Sequence, residues 1–187
     1  MNNELIIRSG STSVDFALLK DGRLVELHRD KEDNKFSVGD IFIAKIRKTV
    51  SGLNAAFVNV GYEKDGFLHY HDLGPQLSTL LKFVKRVSTG KLKDYSLKDF
   101  PKDQDINKNG KIPDVLKSNQ SILVQVVKEP ISTKGPRISS ELSIAGRYVV
   151  LVPFSDRISI SQKIESREEK ARLKRLVQSI RPKGFGV

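Results

Sequence analysis

Apolar positions along this chain repeat at two different periods, and each stretch announces a different kind of element. Over residues 4–29 they come in short alternating runs. Leu5-Ile6-Ile7 is followed by the turn-prone Ser9-Gly10-Ser11, and then Val14, Phe16 and Leu18 fall on one face at period two. Asp21-Gly22 is a strong hairpin signal, and Leu24, Val25 and Leu27 follow it. These runs predict a three-stranded meander. The polar run over residues 30–35 reads as a linker.

A second β-rich block begins at Phe36. Its candidate strands cover residues 40–50, 53–60, 66–72, 121–128 and 137–144, with Ser51-Gly52 and Lys64-Asp65-Gly66 as turns. Five strands with a long excursion before the fourth predict a five-stranded OB-fold barrel, so the fold class is mainly β (α+β). In the excursion, residues 75–119, Leu77, Leu80, Leu81, Val84 and Val87 recur at helical spacing, with Gly90 as a C-cap. Residues 91–117 are polar and mostly without period, and a loop that long is functional or disordered. Beyond Arg147 the pattern predicts a hairpin of residues 148–153 and 158–164. A helix then opens with Ser166 as N-cap and Glu169 three residues on, and Pro182 stops it. Residues 183–187 read as a loop entering a strand, which points to a chain cut from a longer one.

Charge narrows the classes. The 187 residues carry 33 Lys+Arg against 22 Asp+Glu, a net charge of +11, which favours a polyanionic partner. The span 82–117 holds ten Lys/Arg and five Asp/Glu, about half of that excess. Cys is absent, which excludes disulfides, thiolate metal sites and Cys nucleophiles. No run reaches the ~20 apolar residues of a membrane helix, and residues 1–10 lack a signal pattern; the expectation is a cytoplasmic protein with no membrane partner.

Four groups of residues carry candidate chemistry. Phe57 and Phe67 lie on consecutive strands near a tight turn. Facing outward they would form a stacking platform for unpaired bases; facing inward they would be core. Lys134-Gly135-Pro136-Arg137 brackets a turn with two cations that could touch successive phosphates, Gly135 allowing close backbone approach, or is an ordinary solvated turn. Asp105, Asn107, Asn109 and Gly110 sit at calcium-loop positions, but Pro113 and Leu116 fill the ninth and twelfth, so a polar turn is the better reading. His69 and His71 share a strand face with Asp72 nearby, without a clear third metal ligand. No catalytic constellation and no metal site stands out.

Residues 57–69, with their Phe-Val-Gly-Phe-Leu-His pattern, resemble the RNA-binding domain first described in ribosomal protein S-one. More closely, residues 52–73, 128–137 and Ser143-Ile144-Ala145-Gly146-Arg147-Tyr148 resemble the N-terminal part of the ribonuclease E/G family. The long insertion is similar to that of members from the Bacteroidetes. The resemblance implies that Phe57 and Phe67 stack on single-stranded RNA, that Lys134 contacts it with Arg137 beside it, and that His69 supports the platform. It also implies three regions. Residues 1–35 would be part of a split ribonuclease-H-like fold. Residues 36–146 would be the S-one type domain with insertion 75–119, and residues 147–187 the start of a 5′-sensor region. The family's Arg-Thr phosphate pocket, magnesium-binding carboxylates and zinc-linking cysteines match no position here. The implied function is therefore the RNA-binding, catalytically inactive part of an endoribonuclease. Magnesium, possibly zinc and any homo-oligomer would belong to the full-length protein only. A stand-alone RNA-binding adaptor, and a basic surface docking an acidic protein, are the competing classes.

Overall fold

The computed structural model describes residues 2–31, 36–92, 94–131 and 134–187. The chain divides into two compact units, Met1–Ser37 and Val38–Val187. Most of the expected linker over residues 30–35 lies outside the described residues.

In the first unit, β1 (Asn3–Ser9), β2 (Ser13–Lys20) and β3 (Arg23–Lys31) form an antiparallel sheet in that order. Asp21 and Gly22 both take positive φ, 49° and 75°, the geometry that lets a two-residue turn follow the right-handed twist of its strands. The sheet leaves large apolar side chains in water: Leu5, Ile6, Ile7, Leu24, Val25 and Leu27 are all exposed. Asp15 and Arg29 face each other across β2 and β3, and the guanidinium donates to both carboxylate oxygens. Those hydrogen bonds hold the Asp15 carboxyl below the usual aspartate range.

The second unit is built on a closed barrel, in the order β4 (Ile41–Val50), β5 (Ala55–Asn59), β6 (Gly66–His69), β8 (Arg137–Ser139) and β7 (Ser121–Lys128). This is the five-stranded, OB-fold-like closure expected from the pattern. Alternation supplies the interior: Ala44 and Ile46, Val58, Leu68, Ile122, Val124 and Val126, and Ile138 are buried. Gly66 lies inside against Ile138, where a β-carbon would stand 3.0 Å from the end of the Ile138 side chain, a tight contact. Helix α1 (Leu77–Ser88) buries Leu77, Leu80 and Val84, and Gly90 follows it at φ 65° as the left-handed stop.

Several expected strands are shorter than their apolar runs. Before β5 the chain makes a single 3-10 turn, Ser51–Leu53, and Asn54 takes φ 46°. After β6 a second such turn, Tyr70–Asp72, replaces the end of the strand expected over 66–72. The strand expected over 137–144 splits into β8 and β9 (Ile144–Ala145). The hairpin of 148–153 with 158–164 is not formed. Instead β10 (Val150–Pro153) pairs with β9 on one side and β11 (Phe185–Gly186) on the other. The backbone of residues 157–159 bonds to Val187 at both its N–H and its C=O, so its hydrogen-bonding edge is taken. Helix α3 (Arg167–Ile180) starts as expected, with Ser166 Oγ accepting from the Glu169 N–H.

The insertion is held at both ends by packing that its polar sequence did not announce. Near the barrel, α2 (Ile112–Val115) buries Ile112, and Leu116 is buried just after it. Asn54 donates to the Gly110 carbonyl and accepts from the Ile112 N–H, while the Tyr70 hydroxyl donates to the Asn107 carbonyl. Gly110 permits this, since a β-carbon would collide with the Tyr70 ring. Farther along, Phe83 and Phe100 pack edge-on against Phe154, with centroids 5.4–6.3 Å apart. Lys102 pairs with Asp156.

Candidate nucleic-acid interface

One row of side chains runs around the outside of the barrel. Lys48 on β4 is opposite Phe57 on β5, Phe57 opposite Phe67 on β6, Phe67 opposite Arg137 on β8, and Arg137 opposite Lys128 on β7. Phe57 and Phe67 are half-buried on the outer face, while their strand neighbours Ala56, Val58, Gly66 and Leu68 are buried. The core alternative for the two rings is thereby set aside. Two β-bulges create the row: irregularities between Ile46 and Lys48 and between Val126 and Lys128 shift Lys48 into register with Phe57 and Lys128 into register with Arg137. Lys48 and Lys128 were therefore not legible as site residues, because a strict period of two does not contain the bulge.

The rings form an edge-to-face pair with centroids 5.9 Å apart, and the Lys48 ammonium stands 5.2 Å from the Phe57 centroid. Around them Lys48, Lys64, Asp65, Lys134, Gly135 and Arg137 complete a shallow groove of about 590 Å³. The Lys134 and Lys64 loops meet because Gly135 packs on the backbone of Lys64-Asp65, leaving no room for a β-carbon. The close approach that Gly135 allows is thus between two loops of the protein, where the sequence suggests approach to a phosphate.

The acidic groups at this groove are neutralised. Asp65 pairs with Arg47 at 3.2 Å. Asp72 takes both arms of the Arg137 guanidinium, at 2.9 and 3.0 Å, and these bonds raise the Arg137 pKa above its ordinary value. Arg137 thus reaches the groove but spends its fork on Asp72. Exposed Lys48, Lys64 and Lys134 supply the available positive charge.

His69 continues the aromatic row, stacked at 26° and 6.5 Å from Phe67. Its Nδ1 accepts the His71 N–H, capping the Tyr70–Asp72 turn, so that nitrogen is already committed. Among the described residues no group of three His, Cys, Asp or Glu is placed to hold a metal ion. In the calcium-like loop, the Asn107 side chain accepts from the Asn109 N–H, the bond of a polar turn. No helix of the structure is long and apolar enough to cross a membrane.

Comparison with known proteins converges on one group. The profile of the Ribonuclease E/G family matches residues 143–187. Ribonuclease G of Haemophilus influenzae is 31% identical over 175 residues, covering 94% of this chain and 32% of that protein. Ribonuclease G of Escherichia coli K12 is 30% identical over 177 residues, 95% of this chain and 32% of the relative. Ribonuclease E of a Nostoc species is 35% identical over 151 residues, 80% and 18% respectively. The chain spans about a third of the length of the ribonuclease G relatives. With similarity running through the barrel as well as the profiled segment, the chain belongs to the ribonuclease E/G family.

Proposed function

We propose that this chain is the single-stranded RNA-capturing portion of an endoribonuclease acting in RNA processing and decay. The observation that carries the reading is the outward Phe57–Phe67 pair inside a rim of lysines. Aromatic faces accept any unpaired base, while ammonium groups follow the phosphates without reading sequence. In this reading Phe57 and Phe67 stack, and Lys134, Lys64 and Lys48 hold the backbone. His69 buttresses Phe67, and Arg137, locked to Asp72, fixes β8 against β6. The barrel then serves as the S-one type domain. Residues 3–31 form part of the split ribonuclease-H-like fold, and residues 147–187 begin the 5′-sensor region.

Cleavage by the full-length protein would follow from magnesium held by carboxylates of another region. The residues described here do not assemble such a donor set, and no hydrolytic step is assigned to them.

The test is equilibrium binding of a labelled oligoadenylate and of an abasic strand of equal length, at fixed salt. Replacing both rings, Phe57→Ala with Phe67→Ala, should cost ~1–3 kcal/mol per stacked base on the first strand and little on the second. Equal binding of oligoadenylate by wild type and double variant would remove the stacking role.

A further inference from the structure

The aromatic row does not end at the groove. From Phe57 to Phe67, His69 and His71 the successive centroids are 5.9, 6.5 and 4.9 Å apart, and His71 is exposed. His71 opens into a second concavity of about 450 Å³, whose walls come from different parts of the chain. One wall is the insertion turn Asn107-Lys108-Asn109; another is Arg157, beyond β10. The Tyr70 hydroxyl, bonded to the Asn107 carbonyl, ties the turn to the barrel rim. Lys108 and Arg157 are exposed, and neither pairs with a carboxylate among the described residues. Glu141 is the acidic group at this concavity.

We infer that this concavity is a second subsite for the same single strand. The insertion turn and Arg157 would take phosphates of nucleotides that have passed His71, extending the track from the barrel toward the C-terminal segment. This inference rests on the groove reading above. Its chemistry is that of the first groove: an exposed aromatic ring, His71, whose face a base can stack on, with the cations Lys108 and Arg157 nearby. The insertion would then be a footprint extender, which accounts for a polar segment being pinned by Tyr70 and Asn54 instead of hanging free.

The test compares a four-nucleotide and a twelve-nucleotide labelled oligoadenylate on the 187-residue chain. Lys108→Ala with Arg157→Ala should leave the short strand's affinity unchanged and weaken the long strand about tenfold at low salt. The slope of log affinity against log salt for the long strand should fall by about 1.4, two phosphate contacts' worth. As a second readout, the His71 ring resonances should shift with the long strand and not with the short one. Short-strand binding that depends on Phe57 and Phe67, with long-strand binding indifferent to Lys108 and Arg157, overturns the second subsite alone. Short-strand binding indifferent to the two Phe overturns the groove and the subsite together. A poly-glutamate chain that competes as well as RNA, and loses equally from the double variant, would assign the concavity to an acidic protein.

Discussion

Gly135 packs so closely on Asp65 that a β-carbon at residue 135 would stand 2.1 Å from the Asp65 carbonyl oxygen. This contact sets the spacing of the Lys64 and Lys134 loops at the aromatic groove. Gly135→Ala should therefore push the loops apart, costing about 1–3 kcal/mol as overpacking does and lowering RNA affinity together with thermal stability. Calorimetry with a parallel binding titration checks it. A variant with unchanged melting temperature and unchanged affinity would show that the loops move apart freely.

The lysine rim makes a quantitative claim about salt. Replacing Lys48, Lys64 or Lys134 singly by Gln should reduce the slope of log affinity against log salt by about 0.7 each, while base preference stays as it was. Titrations at four salt concentrations read this directly. Arg137→Gln should change the slope less than any of the three, because its guanidinium is already engaged by Asp72.

The Asp72–Arg137 pair itself should be modest. Arg137 is 46% exposed and Asp72 16%, so solvent screening limits the coupling to about 0.5–1 kcal/mol in a double-mutant cycle by denaturant unfolding. Arg137→Lys should lose most of it, since an ammonium cannot make the two-pronged bond.

Amide exchange should separate the two units. The meander exposes Leu5, Ile6, Ile7, Leu24, Val25 and Leu27, whereas the barrel strands β4 and β7 bury Ala44, Ile46, Ile122, Val124 and Val126 on their inner face and leave only outward side chains such as Ile43 exposed. Amides of β1 and β3 should exchange well before those of β4 and β7, measured by mass spectrometry or NMR. Protection of β1 equal to that of β4 would mean that the sheet has acquired a cover.

Helix α3 carries a pH-dependent element. The Arg172 guanidinium donates to both Glu169 oxygens, and this depresses the Glu169 pKa below the usual glutamate value. A depressed carboxyl stabilises the folded form above its unfolded pKa, and that contribution is lost as the pH falls through the folded value. A carboxyl-carbon NMR titration should place the midpoint below that of a free glutamate, and Arg172→Ala should return it to the ordinary range.

Much of the scaffold is written locally. The Asp21-Gly22 turn, the Ser166–Glu169 cap, the stripe from Leu77 to Val84 and the alternation of Ile122, Val124 and Val126 each depend on residues a few positions apart. Local periodicity therefore finds them. Phe57 and Phe67 are legible as candidates from their motif and their place beside a tight turn, but which way they face is settled only by closure of the strands.

The amino-acid order alone determined the β-rich plan, the positive charge, the two rings and the family's characteristic phrases. Tertiary structure decided which way those rings face, that bulges bring Lys48 opposite Phe57 and Lys128 opposite Arg137, and that Asp72 occupies Arg137. It also decided that residues 157–159 bond to Val187 instead of to β10, and that the polar insertion is pinned by Tyr70 and Asn54. The physical reason is common to all of these. Each depends on a partner brought close by chain closure, and neither side-chain period nor turn propensity carries information about a partner so far along the chain.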